Sequence, residues 1–140
     1  MQNTMLCNVV SAENALFSGE VQLVVASGEL GDLGITPGHT PLITKLNPGP
    51  VRLELQNGES ELFFVSGGFL EVIPSQVTIL ADTAERAEDL DEATAQRAKD
   101  EAQRSIGDDK AVFDYSRAAI ELADAAGRLR VIEQLRKRRA

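Results

Sequence analysis

One cysteine, Cys7, and one histidine, His39, are all that the 140-residue sequence holds of either type. A lone cysteine forbids an internal disulfide, and with a single histidine it cannot complete the Cys/His ligand set of a zinc site. Standing in the apolar run LCNVV, Cys7 reads as an inert packing thiol. Long hydrophobic runs are missing as well. Nowhere do about 18 apolar residues stand together, and the opening MQNTMLCNVV has no basic segment followed by a long apolar one. Neither a membrane-spanning helix nor a secretory leader is expected. Positive charge is scarce overall, 14 Lys and Arg against 22 Asp and Glu for a net charge of -8. Sequence-independent nucleic-acid binding depends on cations that neutralise phosphates, so that class is excluded.

What is present divides into two halves with different periods. From Leu6 to about Ala81 short β-type runs follow one another between turn residues: LCNVV, VQLVVA, LGIT, PLITKL, VRLEL, ELFFV, GFLEVI and QVTIL. Strands this closely spaced predict an antiparallel β-sandwich or barrel. Val51, Leu53 and Leu55 alternate with Arg52 and Glu54, and Asn57-Gly58 after them predicts a tight two-residue hairpin with both central residues at positive φ. After Thr83 the sequence turns Ala-rich and helical. Asp89 or Asp91 can cap a helix running to about Ser105, with Gly107 as its stop. A second helix starts near Asp114 and carries Tyr115, Ala118, Leu122, Ala125, Leu129, Ile132 and Leu135 at three-or-four-residue spacing.

The predicted architecture is therefore β + α, an N-terminal sandwich followed by a C-terminal helical hairpin. The hairpin's expected inner faces are small: Ala93, Ala95, Ala98 and Ala102 on one helix, Ala118, Ala119, Ala125, Ala126 and Gly127 on the other. A buried methyl contributes about 0.8 kcal/mol against roughly 2 for a leucine side chain, so closure gains little. Small residues also simply let helices approach closely. The C-terminal tip is a cationic arm, with Arg128, Arg130, Arg136, Lys137, Arg138 and Arg139 opposed only by Glu133. Cations near a helix C-terminus complement its dipole, but four in succession exceed that need and point to an acidic surface or anionic lipid.

No catalytic constellation assembles. The glycines of GELGDLG fit neither the G-x-G-x-x-G fingerprint nor a Walker loop. His39 follows the turn pair Pro37-Gly38 and has no G-x-S-x-G elbow to serve, so it reads as a contact residue or a structural loop histidine rather than a base. Ser66-Gly67-Gly68 reads as a bulge at a strand bend rather than an oxyanion loop. Glu88, Asp89, Asp91 and Glu92 lack the spacing of a calcium loop and read as helix N-terminal charge.

Several collinear segments carry a resemblance: VVSAE (9–13), FSGEV (17–21), GELGDLGITPGHTPLIT (28–44), VSGGFLEV (65–72), VTILADTAER (77–86), DLDEA (89–93) and LRVIE (129–133). Together they closely resemble the epsilon subunit of the F-type ATP synthase, in its bacterial form. The resemblance implies a sandwich of about ten short strands over residues 1–86 and a helix-turn-helix over 87–140. It implies a non-catalytic rotor subunit without a cofactor, peripheral to the cytoplasmic face of the inner membrane and not inserted in it, in a complex coupling proton translocation to ATP synthesis. Its implied partners are the gamma subunit, through Ser11, His39 and Thr44, and the ring of c subunits, through Glu29, Asp32 and Leu33. In such subunits the hairpin folded on the sandwich permits catalysis, and extended it reaches the alpha and beta catalytic subunits and blocks ATP hydrolysis. Arg128, Arg130, Arg136, Lys137, Arg138 and Arg139 would then meet an acidic segment.

Some members bind ATP through a motif of aliphatic, Asp, two variable residues, Arg and Ala. Here Leu90, Asp91, Glu92, Ala93, Thr94 and Ala95 stand in those places, so Thr94 replaces the arginine. Arg128 matches a basic position on the second helix, while Asp124 stands where another is expected. With Asp91 and Arg128 alone in place, and Arg97 a weak substitute, ATP binding is expected to be weak or absent. A reading of another class is a free-standing sandwich module whose basic helix lies on anionic membrane, although its Ala-rich face is poorly hydrophobic. An enzyme centred on His39 ranks below both.

Overall fold

The structure, a computed structural model, describes the backbone of residues 3–107 and 112–139 and the side chains of 3–106 and 116–138. Eight strands are followed by a single 3-10 turn and two helices: β1 Met5–Ser11, β2 Ala15–Gly28, β3 Gly31–Ile35, β4 Leu42–Leu55, β5 Ser60–Val65, β6 Gly68–Ile73, β7 Gln76–Ala81, β8 Ala84–Arg86, the turn Ala87–Asp89, α1 Glu92–Gly107 and α2 Val112–Arg139. The strand order is β3-β2-β1-β7-β6-β4-β5-β8, and an additional β2–β4 pairing folds the sheet onto itself around one core. About ten short strands were expected and eight are found among the described residues, because β2 and β4 are continuous over 14 residues each and change partners midway. Residues 42–46 of β4 pair with β6, and residues 49–54 pair with β5. Asn47 and Pro48, at the switch, belong to neither register. Proline's missing N–H costs no ladder bond at such a corner, so PLITKL and VRLEL form one bent strand rather than two. The sheet also departs from a purely antiparallel one, since β1 runs parallel to β7.

The period-2 pattern sorts most side chains. Met5, Cys7 and Val9 of β1 and Leu70 and Val72 of β6 point inward, joined by Val21, Val24, Leu53, Phe63 and Ile79. Burial pushes the Cys7 thiol up to about 12. The Asn57-Gly58 hairpin is present between β4 and β5, but its loop is not the expected one. No non-glycine residue takes positive φ among the described residues; Gly58 alone does so here, at φ 87°. The N–H of Gly58 donates to the Leu55 carbonyl (3.0 Å), and the N–H of Leu55 donates to the Glu59 carbonyl (2.7 Å). This is the three-residue alternative, a turn closed by a left-handed glycine, with the Asn57 carboxamide accepting the Glu59 N–H (3.0 Å). Ser66-Gly67-Gly68 is likewise no bulge: it carries the chain from β5 into β6, with Gly67 and Gly68 at φ 128° and 131°.

Strand β5 is covered on both faces. Phe63 faces the sandwich core, whereas Leu62 and Phe64 face outward into a second cluster with Ala87, Val131 and Leu135. Helix α2 thus packs on β4 and β5, and α1 packs on α2. Between the helices Ala95, Ala102, Ala118 and Ala125 are buried as expected. Ala93 and Ala98 are exposed, and Gly127 faces the Pro48-Gly49 corner of β4 rather than α1. The side chains of Tyr115 and Arg139, both singled out in the sequence, lie outside the described residues.

Adjacent phenylalanines therefore serve different interfaces. Phe63→Ala is expected to lower global stability in urea denaturation by about 3–5 kcal/mol. Phe64→Ala is expected first to release α2, seen as faster tryptic cleavage at its arginines. The Cys7 thiol in the folded protein is expected to resist a thiol reagent at pH 8, reacting only as the chain unfolds.

Candidate functional site

Three surfaces hold the residues singled out in the sequence. The first is the seam between the helices and the sandwich. Asp91 caps α1: its Oδ1 accepts the Ala93 N–H at 3.0 Å, and its Oδ2 accepts the Thr94 hydroxyl at 2.8 Å. Those bonds, the Thr94 hydroxyl first, hold the Asp91 carboxyl below its ordinary pKa. From α2, the Arg128 guanidinium pairs with Glu85 of β8, donates from Nε to Asp124 at 2.9 Å and lies 4.5 Å above the Phe64 ring. Burial opposes its charge, but the hydrogen bonds to Asp124 and Glu85 outweigh burial and keep its pKa above the usual guanidinium value.

Asp91, Thr94 and Arg128 border one cleft of about 240 Å³ together with Glu85, Asp89 and Asp124. The sequence-predicted pair, Asp91 and Arg128, is thus brought together. The cleft nevertheless carries four carboxylates and one guanidinium, which itself is already paired with two of them. Arg97 is turned to the Thr94 hydroxyl at 3.4 Å and does not border the cleft. Among the described residues no group of three or more His, Cys, Asp or Glu side chains is placed to hold a metal ion.

The remaining cations of the tail whose side chains are described, Arg130, Arg136, Lys137 and Arg138, are also engaged within the chain. Arg130 donates to the Pro48 carbonyl at 2.6 Å, and Arg138 donates to the Ser60 carbonyl at 3.0 Å and to Glu88 at 3.3 Å. Arg136 pairs with Glu92 on α1, and Lys137 lies 3.5 Å from Glu133. Exposed pairs of this kind contribute little singly. Arg128, half-buried against an aromatic ring and bonded twice, is the strongest of the set.

The second surface is the β2–β3 turn. Glu29 and Asp32 are exposed and Leu33 half-buried, and Leu30 beside them is 100% exposed. A shallow cavity of about 180 Å³ lies here, bordered by Leu30, Asp32, Leu33, Leu42 and Thr44. Thr44 therefore sits with the turn residues, although the sequence grouped it with Ser11 and His39.

Ser11 and His39 flank the third surface from opposite ends. Ser11 ends β1 opposite Ala81. His39 follows Gly38, whose N–H donates to the Pro74 carbonyl beside the far end of β1; its Nδ1 is 2.7 Å from the Thr40 carbonyl. Between them lies the outer face of β4, β6, β7 and β1, carrying Ile43 (69% exposed), Phe69 (52%), Leu80 (48%), Ile73 (42%) and Leu6 (36%). Phe69 stands opposite Leu80 and Lys45, and Leu80 opposite Val10, so these three apolar groups are neighbours across strands, whereas Ile43 stands opposite Glu71 and both Ile73 and Leu6 opposite Gln76. Sequence reasoning missed this face. Its signal was the apolar residue on both phases of GFLEVI, where Phe69 and Ile73 alternate with Leu70 and Val72.

A family model described as ATP synthase, Delta/Epsilon chain, beta-sandwich domain matches residues 4–87. A second, ATP synthase, Delta/Epsilon chain, long alpha-helix domain, matches residues 88–133. Among solved structures, the chain is similar to one in the Euglena gracilis mitochondrial ATP synthase, OSCP/F1/c-ring in rotational state 1, with TM-score 0.78, 18% identity and coverage of 100% of this chain and 84% of that one. It is also similar to a chain of the Tetrahymena thermophila mitochondrial ATP synthase central stalk and c-ring, with TM-score 0.63, 16% identity and coverage of 94% and 97%. Those likenesses are of fold, whereas the two family matches follow one another along nearly the whole sequence. The chain belongs to the delta/epsilon chain family of ATP synthase.

Proposed function

We propose that this chain is the epsilon-type subunit of the central stalk of a bacterial F-type ATP synthase, non-catalytic itself, in a complex that couples proton translocation to ATP synthesis. The observation that carries the reading is the apolar outer sheet face flanked by Ser11 and His39. A sheet face that exposes Phe69, Leu80, Ile43, Ile73 and Leu6 around Glu71 and Thr78 on a small domain marks an interaction surface. Here the gamma subunit is its partner. Glu29, Asp32 and the fully exposed Leu30, on the turn that closes β2 and β3, form a protruding contact for the polar loops of the c ring, with Leu33 and Thr44 behind them. The solved structures of similar fold come from assemblies described with F1, the c-ring and the central stalk, which agrees with this placement. The reading places the chain peripherally, at the cytoplasmic face of the inner membrane; none of the described helices is long and apolar enough to cross a membrane.

The helical hairpin regulates turnover in this reading. The arrangement described is the folded one, in which Arg128, Arg130, Arg136, Lys137 and Arg138 are all engaged within the chain. Releasing the hairpin frees those cations, and with Arg139 they meet an acidic segment of a catalytic subunit and block ATP hydrolysis. Inhibition and folding back thus compete for the same side chains. The membrane-module alternative is less well supported, because the apolar stripe of α2 is covered by the sandwich.

The acid-rich cleft disfavours nucleotide. Along its walls a triphosphate would meet repulsion from the carboxylates of Glu85, Asp89, Asp91 and Asp124 and attraction from Arg128 alone.

Hydrolysis by the reconstituted soluble catalytic complex tests the main reading. A chain ending at Arg86 is expected to bind as the full chain does and to raise hydrolysis; failure of both forms to associate would reject the assignment. Reversing the charge of Arg136, Lys137, Arg138 and Arg139 is expected to weaken inhibition, and unchanged inhibition would remove the electrostatic part. Isothermal titration of the full chain with ATP is expected to show no micromolar binding.

A further inference from the structure

Helix α2 contains one glycine, Gly127, deep inside its 28 residues. Glycine in a helix interior is destabilising relative to alanine, so a physical reason for it should lie in its surroundings. Its surroundings are the corner where β4 changes partners. A Cβ at position 127 would stand 2.8 Å from the Pro48 carbonyl oxygen, 2.9 Å from the Pro48 carbonyl carbon and 3.1 Å from the Gly49 nitrogen. All three atoms are backbone, which has no rotamer with which to yield.

The opposite side of the contact is equally tight. A Cβ at Gly49 would stand 2.9 Å from Arg130 Nη2 and 3.1 Å from Ser27 Oγ. Arg130 Nη2 is the same group that donates to the Pro48 carbonyl. The strand's bend leaves Pro48 outside the ladder registers, its carbonyl accepts from the helix, and the missing side chain at Gly127 lets the helix come close enough to donate.

We propose that Gly127, seated on the Pro48-Gly49 peptide, sets how often the hairpin is docked on the sandwich. The regulatory consequence rests on the hairpin reading above. Gly127→Ala acts on the docked state: it sets a methyl against the Pro48-Gly49 peptide there, whereas its gain in helix propensity is common to both states, because α2 is helical when docked as well. A glycine at this place therefore keeps the folded arrangement accessible.

The test is a distance measurement on the full chain in solution, with spin labels at Glu59→Cys and Gln134→Cys, both exposed positions. The parent chain is expected to show a docked population. In Gly127→Ala the ratio of docked to undocked chains is expected to fall about fivefold or more, with helical circular dichroism retained. An unchanged ratio overturns the proposal. Ser116→Ala, a helix-favouring change on the exposed face of α2, is expected to leave the ratio nearly unaltered; an equal fall there would also overturn it, because propensity alone would then be responsible. Hydrolysis by the reconstituted complex separates the two ideas. Stronger inhibition by Gly127→Ala supports both, whereas a shifted distance with unchanged hydrolysis supports the seat and rejects the hairpin's regulatory role.

Discussion

Strand β5 has no solvent face over Leu62–Val65, and the position of the whole C-terminal half follows from that. Phe63 closes the sandwich, so Phe64 must point out of it, and a fully apolar ring facing outward needs a cover. Helix α2 supplies that cover with Val131 and Leu135, and Arg128 lays its guanidinium on the ring. The contact is amphipathic by construction. Its apolar part could be met by any hydrophobic helix, whereas Glu85, Asp124 and the Pro48 carbonyl specify where along α2 the docking occurs.

The two cores differ greatly in depth. Among the described residues the sandwich cluster contains 17 buried side chains, and the cluster under α2 contains five, one of them an alanine. At roughly 1.5–3 kcal/mol for each fully buried large apolar side chain, the sandwich stands alone energetically and the hairpin does not. Helix α1 is further removed, since it reaches the sandwich mainly through α2 and meets it with Ala95 and Ala102. Such a hierarchy gives a deeply packed sandwich and a lightly moored helical arm, which suits the regulatory role proposed for the hairpin.

Much of this was legible in the residues. The β runs stand out between their turn residues, with Val51, Leu53 and Leu55 alternating against Arg52 and Glu54, and the Ala-rich segments after Thr83 carry helical spacing. The bend in β4 was not legible, because Pro48 and Pro50 read as breaks unless the strand is known to change partners there. Nor was the hairpin loop, where Gly58 alone takes the left-handed conformation and Asn57 does not. The pairing of Arg128 with Glu85 is invisible in principle to local patterns, since 43 residues separate them. The outer apolar face escaped for a subtler reason: runs apolar on both phases look like fully buried strands, and only the structure shows that nothing within the described chain covers Phe69 and Leu80.

Native-state hydrogen exchange on the full chain, followed residue by residue at low denaturant, tests the central claim most directly. If α2 alone moors a detachable hairpin, the amides of α1 and α2 will exchange through an opening that leaves β1, β5, β6 and β7 protected, with a smaller denaturant dependence than global unfolding. A single opening free energy and a single slope shared by helices and strands would contradict the account.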